Sequence, residues 1–264
     1  MSTSSLRVAS YLRGLLAPNP GPMTLEGTNT WIVGDPAGPV LVVDPGPLIE
    51  EHLRSVLAAC PAGLSAVVLT HGHADHAESG LELARRAGCG IRAADPGLCL
   101  GGQGLGGGDI LAVAGATVTV HATPGHTADS CSLLVRGDDG EARLVTGDTV
   151  LGRGTTVIAA PDGDLGAYLG SLALLGRLVG EEAVTELLPG HGPRVRDPAG
   201  WLAFYRRHRE ERLDQVRSAL AAGDRRVDEV VARVYAGVDP SVRSAAEQSV
   251  RAQLAYLQHL EGDT

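Results

Sequence analysis

The chain has 264 residues, 44% of them apolar, and a net charge of -9. That length holds one full-sized core with roughly 50 to 100 residues to spare, and no apolar run approaches the ~20 residues of a membrane-spanning helix, so no membrane partner is expected. The acidic balance disfavours long-range capture of a polyanion, although a bound cation would supply local positive charge that the count omits. Met1 to Ser10 has no basic cluster followed by an apolar stretch and a small-residue cleavage site, so the expected location is cytoplasmic. Cys60, Cys89, Cys99 and Cys131 are scattered without a CxxC pair and read as reduced thiols.

In chain order, Thr28 to Val33 and Val40 to Asp44 are β-branched and apolar around a Gly34-Asp35-Pro36 turn and predict a hairpin. A helix is expected over Leu48 to Ala59, and a buried strand over Ala66 to Thr70 delivers the chain into His71-Gly72-His73. Ala77 to Ala87 predicts a helix. Strands follow at Ile110 to Val113, Thr117 to His121, Ser132 to Arg136 and Arg143 to Thr146, then a helix over Leu165 to Val179 and a strand over Ala183 to Leu188. The glycine-rich Gly101 to Asp109 lacks the Gly-Lys-Ser/Thr ending of a phosphate loop and reads as a flexible hairpin connection. Helical patterns then cover Trp201 to Ala221, Val227 to Tyr235 and Ser241 to Leu260, with turns at Gly223 and Asp239-Pro240. Ten arginines balance ten acidic residues in this last part, against 12 and 21 before it. The contrast sets a boundary near Ala199, dividing residues 1–199 from 200–264. Hairpins alternating with helices before it suggest two sheets in contact with helices outside.

His71, His73, Asp75 and His76 fall in one six-residue window directly after a buried strand. Imidazole and carboxylate are donors that borderline divalent ions accept, and a turn after a strand aims several of them at one point. His71 and His73 can grip one ion, while Asp75 and His76, further along, can grip a second. His126 in Thr123-Pro124-Gly125-His126-Thr127, Asp148 in Thr146-Gly147-Asp148-Thr149 and His191 in Pro189-Gly190-His191-Gly192 share the setting, each just past a strand beside a glycine that lets the backbone approach an ion.

Taken in order, THGHADH, TPGHT, TGDT and PGHGP resemble the metallo-β-lactamase superfamily. The resemblance implies an α+β fold, a four-layer αββα sandwich, and two Zn2+ ions, with Mn2+ or Fe as alternatives. It implies His71, His73 and His126 on the first ion, Asp75, His76 and His191 on the second, and Asp148 bridging both. Gly27 to Trp31 and Val43 to Gly46 look like the superfamily's opening hairpin and aspartate turn; Asp44 would then hold the histidine loop, and as a bare pattern it is equally a strand-end turn residue. Asp148 stands where some β-lactamases use cysteine, which lowers the standing of that branch. The Gly147 to Val157 stretch, PGHGP and the arginine-rich Tyr205 to Glu210 segment look most like the β-lactamase-like protein two family. Its members end in a small winged-helix-like unit and include a single-strand endoribonuclease.

Two ions a few ångströms apart can lower the pKa of a shared water toward about 7, and Asp75 is placed to manage the proton. The expected activity is therefore hydrolysis; the resemblance to the ribonuclease-bearing family implies single-stranded RNA as substrate, with Arg153 and Arg206 to Arg209 as phosphate contacts, while an acyl-glutathione or acyl-CoA thioester, a lactam or a lactone shares the same chemistry. A metal-holding regulatory or nucleic-acid-binding protein is the alternative outside catalysis. Tyr168 and Cys131 read as packing, the latter as a buried thiol. The native metal and oligomeric state are not legible in the chain.

Overall fold

The computed structural model describes residues 5–101, 104–237, 239 and 242–262. Residues 1–4, 102–103 of the glycine-rich stretch, and Pro240 and Ser241 of the last turn and helix start lie outside the described residues.

Among the described residues, eleven strands form two sheets. The first runs in sequence order through β1 (Ser5–Ala9), β2 (Leu12–Leu16), β3 (Asn29–Val33), β4 (Val40–Val43), β5 (Leu64–Val68) and β6 (Gly90–Arg92). The second holds β7 (Ile110–Val113), β8 (Ala116–Ala122), β9 (Cys131–Gly137), β10 (Ala142–Gly147) and β11 (Val184–Pro189), in the order β11-β10-β9-β8-β7. Helices α1 (Glu50–Ala58) and α3 (Gly80–Ala87) cover the outer face of the first sheet, where Leu53, Val56, Leu83 and Ala84 meet Ile32, Val42 and Val67. Trp31, Val43, Val68, Val118, Leu133 and Val145 fill the space between the sheets. Helices α4 (Leu165–Glu181) and α5 (Pro198–Ala221) cover the second sheet. The αββα sandwich expected from the sequence is present. Both β4 and β10 are buried along their whole length; β4 reads as an unbroken apolar run rather than as an alternating strand, whereas β10 carries Arg143 and Thr146 within its apolar core.

Local signals account for the helix ends. Asp164 caps α4 by accepting from Ala167 N at 2.6 Å, and Asp197 caps α5 by accepting from Gly200 N at 3.0 Å, with Pro198 in the first turn. The predicted helix from Ala77 is broken: a single turn, α2 (Ala74–Ala77), carries Asp75 and His76, and α3 starts separately after Ser79. No local pattern in the sequence predicts strands β1, β2 and β6. Leu6, Val8, Leu12 and Gly14 alternate too briefly, with Arg7 and Arg13 between them, to stand out without their pairing partners. Gly101 to Asp109 is not a hairpin connection. It crosses from β6 in one sheet to β7 in the other, and Arg92 holds its described part through Gly104 O and Asp109 Oδ2.

After α5 come α6 (Val227–Val234) and α7 (Arg243–Gly262). Leu213, Val216, Val230, Val231 and Val250 join one continuous cluster with Leu144, Tyr168, Leu172 and Leu187 of the sandwich. No helix among the described residues is long and apolar enough to cross a membrane.

Strand direction places the site. β4 and β5 are parallel, and β10 and β11 are parallel, so within each pair both chains leave at the same end. β8 and β10 each run antiparallel to β9 and therefore share a direction. Asp44, His71 to His76, His126, Asp148 and His191 each follow one of these five strand ends.

Candidate metal centre

All seven residues expected as ligands come together at that end of the sandwich. His71 Nε2 and His126 Nε2 each lie 3.1 Å from His73 Nδ1. His76 Nε2 and His191 Nε2 are 3.1 Å apart, with Asp75 Oδ2 at 3.1 Å from His191. Asp148 spans both groups: Oδ2 is 3.3 Å from His191 Nε2 and 3.8 Å from His126 Nε2, and Oδ1 is 3.4 Å from His76 Nε2.

The opposite nitrogen of four of the rings is tied to an acceptor, which fixes the tautomer. His126 Nδ1 donates to Val157 O at 2.9 Å, His191 Nδ1 to Gly27 O at 3.1 Å and His76 Nδ1 to Asp44 Oδ2 at 2.9 Å. Thr70 Oγ1 donates to Asp44 Oδ2 at 2.7 Å and so accepts from His71 Nδ1 at 3.0 Å. Each of these rings therefore turns a bare Nε2 lone pair inward. Around His73, two such lone pairs face a nitrogen that can offer at most one proton; between His76 and His191, two face each other beside two carboxylates. Asp148 Oδ1 is also buried without a hydrogen-bond partner. With the rings neutral, these acceptors find no donor among themselves and are satisfied by a cation or by added protons, so the donor set fits a divalent metal site. Asp44, His71 and His76 also cluster, but Asp44 faces the protonated Nδ1 of His76 and is an orienting group.

Charge says the same. Burial opposes ionisation of Asp148, yet His76 and His191 hold its carboxyl well below the usual range. Burial likewise opposes protonation of His191, and the carboxylates of Asp148 and Asp75 overcome it, pushing that ring up to about 9. Burial, reinforced by His76, lowers His71 well below its ordinary value. Without an ion, the Asp75 side of the site draws in protons to balance its carboxylates.

Glycines allow this density. A Cβ on Gly190 would stand 2.4 Å from Asp148 Oδ1, and one on Gly125, at φ +129°, would stand 2.4 Å from the Tyr168 backbone. Several supporting groups had no role in the sequence reading. Asn29 Nδ2 donates to Pro189 O at 3.0 Å and to Gly192 O at 2.9 Å, bracketing the His191 turn, and Trp31 Nε1 donates to Pro189 O at 3.1 Å. These lie some 160 residues from the turn they hold, so no local pattern relates them.

Residues 23–232 match the metallo-beta-lactamase superfamily and residues 227–262 the beta-lactamase associated winged helix domain. The chain belongs to the metallo-β-lactamase superfamily. It is a metal-dependent hydrolase of that fold with the winged helix domain at its C-terminal end, built from helices among the described residues. It is 34% identical over 264 aligned residues to a beta-lactamase-like protein 2 homolog of Caenorhabditis elegans, covering 95% of this chain and 85% of that one. It is 32% identical over 254 residues to an atrochrysone carboxyl ACP thioesterase of Aspergillus chevalieri, covering 91% and 78%. A beta-lactamase domain protein from Burkholderia ambifaria shares the fold with a TM-score of 0.82 at 20% identity, covering 98% of this chain and 89% of that one.

In this superfamily member the half of the site bearing His73 opens into a cavity of about 490 Å³ lined by Gly72, Ala94, Thr127 and three aspartates, Asp95, Asp129 and Asp162. The arginines expected to meet phosphate are placed otherwise. Arg209 is 4% exposed and donates to Thr156 O, and Arg153 is paired with Glu26. Arg206 lines a groove with Leu169, Glu210 and Tyr256 on the outer helical face. Tyr168 and Cys131 are buried, as expected.

Proposed function

We propose that this hydrolase holds two zinc ions and cleaves an acyl thioester. His71, His73 and His126 would hold one ion, Asp75, His76 and His191 the other, and Asp148 would touch both. When bound, such ions supply Lewis acidity that polarises a carbonyl oxygen and lowers the pKa of water between them. Asp75 reaches the centre from α2 with its side chain 30% exposed, so it can accept the proton that water gives up as its oxygen joins the carbonyl carbon. The same carboxyl returns that proton to sulfur as the carbon–sulfur bond breaks, leaving a thiol and a carboxylic acid whose own proton passes to solvent.

The observation carrying the substrate class is the mouth. Three carboxylates on the His73 side repel a polyanion, and of the expected phosphate contacts Arg209 is buried and Arg153 is paired with Glu26, while Arg206 and Arg207 are exposed on α5. The barrier is least for an acyl thioester of low charge, and likeness to the Aspergillus thioesterase supports the same reading. Single-stranded RNA remains the second reading, favoured by likeness to the beta-lactamase-like protein 2 homolog and by the winged helix match.

Zinc-reloaded wild type and Asp75→Asn should be assayed on acyl-CoA and acyl-glutathione thioesters and on an unstructured RNA oligonucleotide. The expected result is thioester turnover that falls roughly 10²-fold or more in Asp75→Asn, with RNA left intact. RNA cleavage that Asp75→Asn abolishes, with thioesters untouched, would establish the second reading instead.

A further inference from the structure

Arg209 of α5 is buried against Tyr168 of the apolar cluster, and its Nε has no hydrogen-bond partner. An apolar side chain would fill this space without the cost of desolvating a guanidinium. What the arginine adds is a grip on two loops. Its Nη2 donates to Thr156 O at 2.5 Å. Thr156 Oγ1 stands 3.1 Å from His126 Nδ1, and the next carbonyl, Val157 O, accepts from that same nitrogen at 2.9 Å. On its other side the guanidinium carbon lies 5.0 Å from the centre of the Tyr168 ring. Tyr168 donates its hydroxyl proton to Thr149 O at 2.8 Å, one residue past Asp148, and its backbone backs Gly125, one residue before His126.

We propose that Arg209 is a positioning residue that reaches from α5 to orient His126 and Asp148, coupling the C-terminal helices to the metal centre. This rests on the reading of His126 and Asp148 as ligands. The His126 ring is aimed by the 156–157 backbone, so freeing Thr156 O lets that segment shift and turns the Nε2 lone pair off its target. Loss of one partner behind a metal-bound histidine typically weakens metal affinity 10- to 100-fold.

The test uses full-length protein stripped of metal and titrated with Co2+ and Zn2+, with visible absorption of the cobalt form reporting ligand geometry. Wild type is compared with Arg209→Met, Arg209→Lys, His126→Ala and Leu213→Ala, the last removing buried apolar volume from the same helix. Arg209→Met is expected to lose about tenfold or more in affinity for one ion and to shift the cobalt bands, while Arg209→Lys, which keeps a donor, recovers part of both. Leu213→Ala is expected to lower thermal stability without moving the bands. Wild-type affinity and bands in Arg209→Met, or an equal shift in Leu213→Ala, would overturn the proposal. Retention of both ions by His126→Ala would instead remove the ligand reading beneath it.

Discussion

Asp44 Oδ2 stands 2.9 Å from His76 Nδ1 and, through Thr70 Oγ1 at 2.7 Å, also orients His71. One carboxylate behind the site thus aims a histidine of each half. Asp44 sits at φ +50°, a left-handed position that Asp and Asn tolerate better than most residues, so Asp44→Asn preserves the turn and changes only charge and donor pattern.

Asp44→Asn should therefore place an amide N–H against His76 Nδ1–H, or drive that ring into the other tautomer with its proton aimed at the ion. Zinc affinity is expected to fall by roughly 10- to 100-fold, measured by competition with a coloured chelator. Wild-type affinity in the variant would show that the carboxylate has no orienting role.

Metal content should separate Asp148 from Asp75. Wild type is expected to hold about two ions per chain, because seven donors exceed one tetrahedral site. Asp148→Ala removes an oxygen 3.3 Å from His191 Nε2 and 3.8 Å from His126 Nε2, so both ions should wash out more readily than from Asp75→Ala. Elemental analysis after dialysis checks this, and a wild-type value near one under saturating zinc would end the two-ion reading.

His52 offers a pH prediction away from the ligands. Thr30 Oγ1 donates to Asp44 O at 2.7 Å and accepts from His52 Nε2 at 2.9 Å, and burial lowers the His52 pKa from 6.5 to about 4. Above pH 6.5 the ring is neutral folded or unfolded. As pH falls from 6.5 toward 4 the unfolded chain takes a proton that the folded chain refuses, so stability is lost over that window, by up to roughly 3 kcal/mol. His52→Gln keeps a donor for Thr30 and should flatten this part of the profile. The comparison is the difference in urea unfolding free energy between wild type and variant at pH 7.5 and pH 5; an identical acid-dependent loss in both would assign it to other groups.

The division at residue 199 can be tested by ending the chain after Pro198. Trp201 Nε1 donates to Leu151 O at 2.8 Å, the Tyr205 hydroxyl accepts from Leu151 N at 2.8 Å, and Trp201 stacks on Phe204 with ring centres 4.9 Å apart. Removing α5 strips these partners from the loop after Asp148 and bares Leu172, Leu175 and Leu187. The truncated chain is expected to aggregate or lose cooperative unfolding by calorimetry. Full solubility and metal content would mark residues 200–264 as an independent module.

The sequence by itself determined the candidate ligands and the layers. His71, His73, Asp75, His76, His126, Asp148 and His191 are legible because each donor sits beside a strand end, often with a glycine, and short-range spacing is a property of the chain alone. The apolar stretches within β4, β5, β10 and β11 (Val40 to Val43, Ala66 to Val68, Leu144 to Val145 and Leu187 to Leu188) are legible for the same reason. Tertiary structure alone decided what stands behind those ligands. Gly27 O behind His191, Val157 O behind His126, Asn29 across the His191 turn and Arg209 beneath Thr156 are joined by backbone carbonyls, which every residue carries, or by partners more than fifty positions away. Such contacts leave no local signature. The fate of the arginines was decided the same way: Arg209 shares a run with the exposed Arg206 and Arg207, and only the rotation of α5 against the second sheet buries one and leaves the others in water.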